Sequence, residues 1–198
     1  MKKILLLAGV ASLVATQVSA TEYNPYVAAR LARVEVKNDM TTIDFQEKLN
    51  DDQFGYRFAG GVMVPFCGGM AESVRAEVEY GLLNKTHNNI YSNVIQSKLQ
   101  TVFANVYYDL DTGTSFNPYI GVGLGYARID ENNSGREAKE ENFAYNVGVG
   151  VSYNLSYKTD LELGYRFTDY GKIKQNGADY AKRSYDSQEI LVGFRHMF

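Results

Sequence analysis

Apolar and polar residues alternate one by one along most of the chain. The clearest example is the segment 73–83, in which two sets interleave: Val74, Ala76, Val78, Tyr80 and Leu82 against Arg75, Glu77, Glu79 and Gly81. Successive side chains of a β-strand point to opposite faces, so this pattern predicts one apolar face and one polar face. A helix would place members of both sets on every face. The segment is therefore predicted to be a strand.

Seven further segments alternate in the same way. The eight predicted strands are 26–36, 54–64, 73–83, 99–108, 119–129, 142–153, 160–168 and 188–198. Each has roughly 9 to 11 residues, the length that a tilted strand needs to cross a bilayer. Three connections are short (65–72, 109–118 and 154–159), and the four others are longer. An even strand number with alternating short turns and long loops predicts an all-β, eight-stranded, antiparallel, up-and-down transmembrane β-barrel with both termini in the periplasm.

A soluble eight-stranded barrel of the lipocalin type is the main alternative, since it would enclose its apolar face around a small ligand. Glycines on the polar faces argue against it, because glycine weakens a solvated strand but makes room in a crowded interior. Aromatic residues near the strand ends resemble the interfacial girdles of membrane barrels. These residues are Tyr56, Tyr80, Tyr108, Tyr126, Phe143, Tyr153, Phe167 and Phe198. The membrane-spanning interpretation is therefore preferred.

The first twenty residues have a different pattern. Lys2 and Lys3 precede an apolar run over 4–14, and Val-Ser-Ala at 18–20 has the small residues of a signal-peptidase cleavage site. This arrangement predicts a cleaved signal peptide over 1–20 and a barrel over 21–198. The run is shorter than the roughly 20 residues of a spanning helix. Loss of Lys2 and Lys3 would change the formal charge from −3 to −5, which excludes a basic nucleic-acid-binding surface.

The predicted inner faces carry charges of both signs. They are Arg30, Arg57, Arg75, Glu77, Glu79, Glu162, Arg166, Glu189 and Arg195. In an eight-stranded barrel the interior is only wide enough to be filled by side chains. Unpaired buried charges are costly, so these residues are expected to form a network of salt bridges that closes the lumen. A gated ion path through the same residues is the alternative.

Several short segments resemble one known family. They are RAEVEY at 75–80, VYYDL at 106–110, PYIGVGLGY at 118–126 and LGYRF at 163–167. Together they resemble the outer-membrane β-barrel family that includes the opacity-type surface proteins and the OmpA-type transmembrane domain. The final segment, GFRHMF, resembles the C-terminal assembly signal of that family, with Gly193, Phe194 and Phe198 as its signal residues. The resemblance implies the barrel-assembly machinery and periplasmic chaperones as partners. The apolar outer face implies outer-membrane lipid, and the charged loops make lipopolysaccharide a further expected partner.

No catalytic, metal or cofactor site is predicted. His87 and His196 are expected to lie far apart, and Cys67 is the single cysteine, so it has no partner for an intrachain disulfide. Two function classes remain. In the first, the protein is a structural envelope component and surface antigen. In the second, it is an adhesin whose extracellular loops bind host surface molecules; a small gated pore and a periplasmic lipocalin-like binder are less favoured.

Overall fold

Eight long antiparallel strands close into a barrel. The computed structural model describes residues 23–40, 48–65, 72–84, 89–90, 93–94, 96–133, 136–174 and 182–198. The barrel strands are β1 (Asn24–Met40), β2 (Lys48–Pro65), β3 (Glu72–Asn84), β4 (Gln96–Leu110), β5 (Phe116–Asn133), β6 (Arg136–Ser156), β7 (Thr159–Lys174) and β8 (Lys182–Met197). Each strand pairs with its neighbours in the chain, and β1 also pairs with β8 to close the sheet. The predicted fold class is confirmed.

Two further strands of two residues each, Asn89–Ile90 and Asn93–Val94, pair with each other between β3 and β4. In the described part of the chain, no helix is long and apolar enough to cross a membrane.

Both ends of the described chain lie at the same end of the barrel. The backbone nitrogen of Phe198 donates to the carbonyl oxygen of Pro25 at 3.1 Å, and Tyr26 pairs with Met197 in the ladder. Residues 111–115 and the turn at 157–158 connect strands at this end as well. We call it the terminal end, and we call the opposite end the hairpin end.

The strands are longer than the sequence predicted. They contain 13 to 21 residues, against the roughly 9 to 11 expected. The extra residues lie mostly at the hairpin end: β5 and β6 pair as far as Asn133 and Arg136, inside the predicted loop 130–141. The prediction was wrong because it followed hydropathy. Backbone hydrogen bonds continue the ladder into segments whose two faces are both polar, and alternation of hydropathy ends there.

The exposure of side chains follows the predicted parity. On β5, the Val122 side chain is 56% exposed while its neighbours Gly121 and Gly123 are buried. On β3, Tyr80 is 40% exposed and Glu79 is fully enclosed. The segment 99–108 behaves in the same way, with Phe103 inside. The apolar stripe therefore faces outward and the charges and most glycines face inward, as a membrane barrel requires.

Polar side chains border the outer apolar stripe at the hairpin end. The last apolar residues of the stripe are Leu31 on β1, Tyr126 on β5 and Phe143 on β6. Two residues further towards the hairpin end, the same outer face carries Arg33, Arg128 and Glu141. The rings of Tyr126 and Phe143 pack edge to face with centroids 5.9 Å apart. Aromatic residues at this border match the interfacial girdle of a membrane barrel, since amphipathic rings prefer the depth of the lipid headgroups.

Inward-facing glycines make room for large interior side chains. A Cβ atom at Gly121 would collide with the Tyr107 ring, and one at Gly150 would collide with the Tyr119 ring. Gly164 is similar, because its Cβ would lie 2.7 Å from the Tyr119 hydroxyl oxygen. Two tyrosines thus fit into a narrow barrel because the facing strands carry no side chain at these positions.

Candidate functional site: the charged interior

All nine charged residues that the sequence places on the inner faces lie inside the barrel, and none is more than 6% exposed. They come from β1, β2, β3, β7 and β8. The alternation of each strand brings its charges to the interior at successive heights. The structure brings all nine together in one continuous network of ion pairs and hydrogen bonds.

Glu79 lies at the centre of the network and contacts three arginines. Its Oε1 accepts from Arg166 Nη1 at 2.6 Å, and its Oε2 lies 3.1 Å from Arg30 Nη1. Arg57 Nη1 lies 3.6 Å from Oε1. One carboxylate is thereby shared by guanidinium groups from β1, β2 and β7, which ties three separate strands to β3.

Glu77 is the inward-facing residue next to Glu79 on β3, and both of its carboxylate oxygens accept more than one hydrogen bond. Arg30 donates to both oxygens, through Nη1 at 2.9 Å and Nη2 at 3.0 Å. The hydroxyl of Tyr26 donates to Oε2 at 2.9 Å, and the hydroxyl of Tyr107 donates to Oε1 at 3.1 Å. Asn105 Nδ2 adds a fourth donor group at 3.2 Å. Such a set of charge-assisted bonds compensates for removing the carboxylate from water.

Towards the terminal end, Glu162 links three arginines. It accepts from Arg30 Nε at 2.8 Å and from Arg75 Nη1 at 2.8 Å, and Arg195 Nη1 lies 3.2 Å away. Arg75 and Arg195 each hold one further carboxylate: Arg75 Nε donates to Asp109 Oδ2 at 2.6 Å, and Arg195 Nη2 donates to Asp160 Oδ2 at 2.6 Å.

Asp109 and Asp160 belong to the network but were not among the predicted residues. Asp109 was assigned to a connection because the predicted strand ended at Tyr108, whereas β4 continues to Leu110. Asp160 shares the inward parity of Glu162, so the signal for it was present in the sequence. With them, the described interior holds five arginines and six carboxylates.

Two aromatic rings hold Arg75 in place. Its guanidinium carbon lies 4.6 Å from the ring centroid of Tyr107 and 5.0 Å from that of Tyr119. These two rings meet edge to face with centroids 5.7 Å apart. The arginine is therefore fixed by cation–π contacts as well as by its carboxylates.

Glu189 forms the layer of the network nearest the hairpin end. Its Oε1 accepts from Arg57 Nη2 at 2.6 Å and from the Tyr170 hydroxyl at 3.1 Å. Ser187 and Thr168 lie at 3.2 and 3.4 Å from the same oxygen.

Apolar side chains also line the interior around the height of Glu189, a feature that the sequence analysis did not predict. One buried cluster contains Ala32, Val34, Leu83 and Leu191, and a second contains Phe103, Ala127, Ala144 and Tyr170. Leu99 packs against both clusters. We call these residues the apolar seal. Apolar side chains in a narrow lumen disfavour water and ions. The buried polar side chains of Gln53 and Ser187 lie beside them.

The remaining candidate residues lie elsewhere or outside the described residues. His196 faces outward at the terminal end, where its Nδ1 is 3.0 Å from the Thr159 hydroxyl and its ring packs against Phe198. His87 and Cys67 fall outside the described residues. Within the described ranges, no group of three or more His, Cys, Asp or Glu side chains is arranged to hold a metal ion.

The sequence of this chain matches the model of a known family, and the closed barrel with its outward apolar stripe agrees with that match. The family model described as the outer membrane protein beta-barrel domain covers residues 4–198. The chain belongs to this family. It is a bacterial outer-membrane β-barrel protein, and the family resemblance inferred from the short sequence segments is confirmed.

Two curated relatives of the chain come from Salmonella typhimurium and Rickettsia prowazekii. Outer membrane protein PagN of Salmonella typhimurium is 28% identical over 131 residues, which cover 57% of this chain and 54% of PagN. The chain thus spans about half the length of that relative. A candidate adhesin of Rickettsia prowazekii, RP828, is 27% identical over an alignment of 229 positions, gaps included, which covers 98% of this chain and 99% of RP828.

Among solved structures, the chain is similar in fold to Neisserial surface protein A. The TM-score is 0.64 at 23% identity, and the match covers 91% of this chain and all of that chain.

Proposed function

We propose that this member of the outer membrane protein beta-barrel family is a closed, non-conducting envelope component and surface antigen without enzymatic activity. One observation carries the proposal: paired charges and the apolar seal fill the middle of the described lumen. Buried ion pairs contribute little net stability compared with apolar packing, but removing one partner is strongly unfavourable. The network therefore favours one fixed, closed arrangement of the interior.

The proposal includes an orientation with the terminal end in the periplasm and the hairpins outside the cell. β6 has 21 residues, about twice the number that a tilted strand needs to cross the hydrocarbon. Its outward apolar positions begin at Phe143, so the strand continues for seven residues, 136–142, beyond the stripe. Such extended hairpins suit the extracellular side, since short turns are typical of the periplasmic side. Lipopolysaccharide is the expected lipid partner there.

Planar bilayer recordings of the purified, refolded protein test the closed lumen. The expected result is a bilayer that stays at its baseline current over long recordings. A deletion strain tests the envelope role, because loss of a structural component is expected to raise sensitivity to detergent. A large, persistent pore in the unmutated protein would contradict the proposal.

A second candidate function is adhesion to a host surface molecule. It is favoured by the match to the candidate adhesin RP828 over almost the whole of both chains. In this role the barrel is the membrane anchor and the extended hairpins are the binding surface. Host-cell attachment by the deletion strain, measured beside its detergent sensitivity, separates the two functions: an adhesin mutant loses attachment while its envelope stays intact.

A further inference from the structure

Strands β7 and β8 continue past the apolar stripe at the hairpin end, and four cationic residues occupy this extension. They are Lys172, Lys174, Lys182 and Arg183. The ladder pairs Lys174 with Lys182. Neither of the paired segments 172–174 and 182–184 contains an acidic residue. We call the four cationic residues the basic cluster.

The pairing of Lys174 with Lys182 places two positive charges directly opposite each other in the ladder. Like charges in directly opposed positions destabilise a pair of strands. A bound anion offsets this repulsion, because it attracts both charges at once. The register of β7 and β8 therefore favours an anionic ligand at the basic cluster.

The acidic residues nearest to the cluster are accompanied by other partners. Asp186 pairs with Lys37 of β1 in the ladder. Asp39 of β1 has Lys48 of β2 as a ladder partner. Both carboxylate oxygens of Asp169 accept hydrogen bonds, one from a tyrosine hydroxyl and one from a backbone nitrogen. The local excess of positive charge therefore remains.

The basic cluster begins just above the lipid-facing stripe. Phe167 is the last apolar residue on the outer face of β7, and Asp169 is the next residue on that face. Lys172 and Lys174 follow three and five residues later. This spacing raises them about 7 to 12 Å above Asp169, for a rise of about 3.4 Å per residue and a tilt of about 45°.

The height of the cluster indicates which anion it meets. The headgroup layer of a phospholipid leaflet is about 5 to 8 Å thick, so it ends near the height at which the cluster begins. The phosphorylated sugars of lipopolysaccharide extend further from the hydrocarbon. Lysine and arginine bind phosphate through charge-assisted hydrogen bonds. We infer that the basic cluster binds the phosphorylated sugar head of lipopolysaccharide in the surrounding leaflet.

This inference deepens the proposed function and rests on it for the orientation that places the hairpin end outside the cell. A soluble sulfated glycan also matches the charge of the cluster. The position on the barrel wall, at the surface of the leaflet, favours the glycolipid, because lipopolysaccharide molecules surround the barrel there.

Native mass spectrometry of the refolded barrel in detergent micelles tests the inference. The probe is lipopolysaccharide that consists of lipid A and inner-core sugars, and the control ligand is the same molecule after removal of its phosphates. We expect the phosphorylated form to bind about tenfold more tightly, as charge-assisted contacts to several phosphate oxygens allow. The difference should shrink as salt is added, because ions screen exposed charges. Equal affinities for the two forms would overturn the inference.

Lys174→Glu gives two effects of opposite sign. It replaces the repulsion with Lys182 by attraction, so the unfolding midpoint in micelles without lipopolysaccharide should stay the same or rise. The same change should weaken binding of the phosphorylated probe by about tenfold, since a repulsive charge takes the place of an attractive one. A misfolded variant could not give both results.

Lys158→Glu is the matched control, because it reverses one charge in the exposed turn at the terminal end. It should leave the affinity for lipopolysaccharide unchanged. Equal affinities of the Lys174→Glu and Lys158→Glu variants would overturn the assignment to the basic cluster. A heparin fragment that binds the unmutated protein more tightly than lipopolysaccharide does would overturn it as well, in favour of a soluble polyanion.

This experiment fails or succeeds independently of the proposed function. Binding in micelles does not depend on the orientation of the barrel in the cell or on the state of the lumen. An open pore in planar bilayers would contradict the closed lumen and leave the affinity for lipopolysaccharide as it is. Loss of the phosphate dependence would overturn the basic cluster as a binding site and leave the bilayer recordings as they are.

Discussion

Arg30 and Glu77 face each other through two hydrogen bonds, with Nη1 2.9 Å from Oε1 and Nη2 3.0 Å from Oε2. They lie on β1 and β3, which are separated in the sheet by β2. The pair therefore joins strands that share no backbone hydrogen bonds. Backbone hydrogen bonds join only neighbouring strands. The interior network adds side-chain links between strands that are not neighbours.

Replacing Glu77 by alanine tests the structural role of this network. The variant leaves Arg30 without its two-bond partner and leaves Tyr26, Tyr107 and Asn105 without their shared acceptor. We expect the free energy of unfolding to fall by about 3 to 5 kcal/mol, measured by urea titration in detergent micelles. No large steady conductance is expected in planar bilayers, because the apolar seal remains.

Glu141→Ala is the control for this change, since the Glu141 side chain is exposed at the hairpin end. Its unfolding midpoint should stay close to that of the unmutated protein. A persistent pore in Glu77→Ala would show that the charges themselves close the lumen, and an unchanged midpoint would remove the stabilising role assigned to the network.

Alanine substitutions at the adjacent residues Gly61 and Gly60 test how tightly the interior is packed. A Cβ at Gly61 would lie 2.5 Å from the Ala76 carbonyl oxygen and 2.8 Å from the Tyr26 ring, whereas one at Gly60 would meet nothing within 4 Å. Gly61→Ala is therefore expected to destabilise the barrel by about 1 to 3 kcal/mol through overpacking. Gly60→Ala, on the outer face, should be close to neutral. Equal unfolding midpoints for the two variants would contradict the crowded interior.

The directions of the side chains could be predicted from the sequence, because the two-residue period of a strand is a local property. Arg75 and Glu162 are an example: each was placed inside by its own strand, and the structure brings the two within 2.8 Å. Which residues pair could not be predicted, since the pairing depends on register and on the height of each strand in the barrel. Asp109 was missed for a related reason, because polar residues near a strand end resemble a turn.

The apolar seal was not predicted, because the inner residues were considered one strand at a time. Val34, Leu83 and Leu191 lie on the inner parity of strands whose other inner residues are mostly charged or small, with Tyr26 and Met197 as exceptions. When each strand is read alone, the large apolar residues on its inner face are separated by charged or small ones. Only the closure of the sheet brings them to one height, where they form a cluster.

Leu99→Ser tests whether this seal closes the lumen. Leu99 packs against both apolar clusters, so a hydroxyl at this position admits water between them. We expect brief, small conductance events in planar bilayers that are absent from the unmutated protein. Leu163→Ser, on the lipid-facing side of β7, is the control and should stay silent. If Leu99→Ser is as silent as Leu163→Ser, the barrier to ions lies in the charged layers.

Val122→Arg tests whether the outer stripe faces hydrocarbon. Val122 lies near the middle of the stripe on β5, and an arginine at the bilayer midplane destabilises a barrel by about 2 to 4 kcal/mol. The measurement is equilibrium unfolding from lipid vesicles. Ser115→Arg, in the exposed connection at the terminal end, adds the same charge and should have little effect. Equal effects of the two changes would mean that the stripe does not lie in the membrane.

Phe198 provides a test of the proposed C-terminal assembly signal. Its side chain is 66% exposed, and its one described backbone bond, from its nitrogen to Pro25, survives truncation to alanine. Phe198→Ala should therefore leave the refolding of the purified chain almost unchanged. In cells, we expect several-fold less folded protein in the outer membrane, because recognition by the assembly machinery would be impaired. The folded fraction is measured by heat-modifiable migration on gels.

The comparison between cells and purified protein decides the interpretation of the Phe198→Ala result. A loss in cells alone assigns Phe198 to recognition, since the ring contact with His196 on the exposed surface is the one described ring contact that the folded state loses. Equal losses in both settings would make Phe198 a structural residue of the lipid-facing surface. Leu155→Ala is the matched control, because Leu155 is a similarly exposed apolar residue near the same end. Assembly of this variant in cells should match that of the unmutated protein.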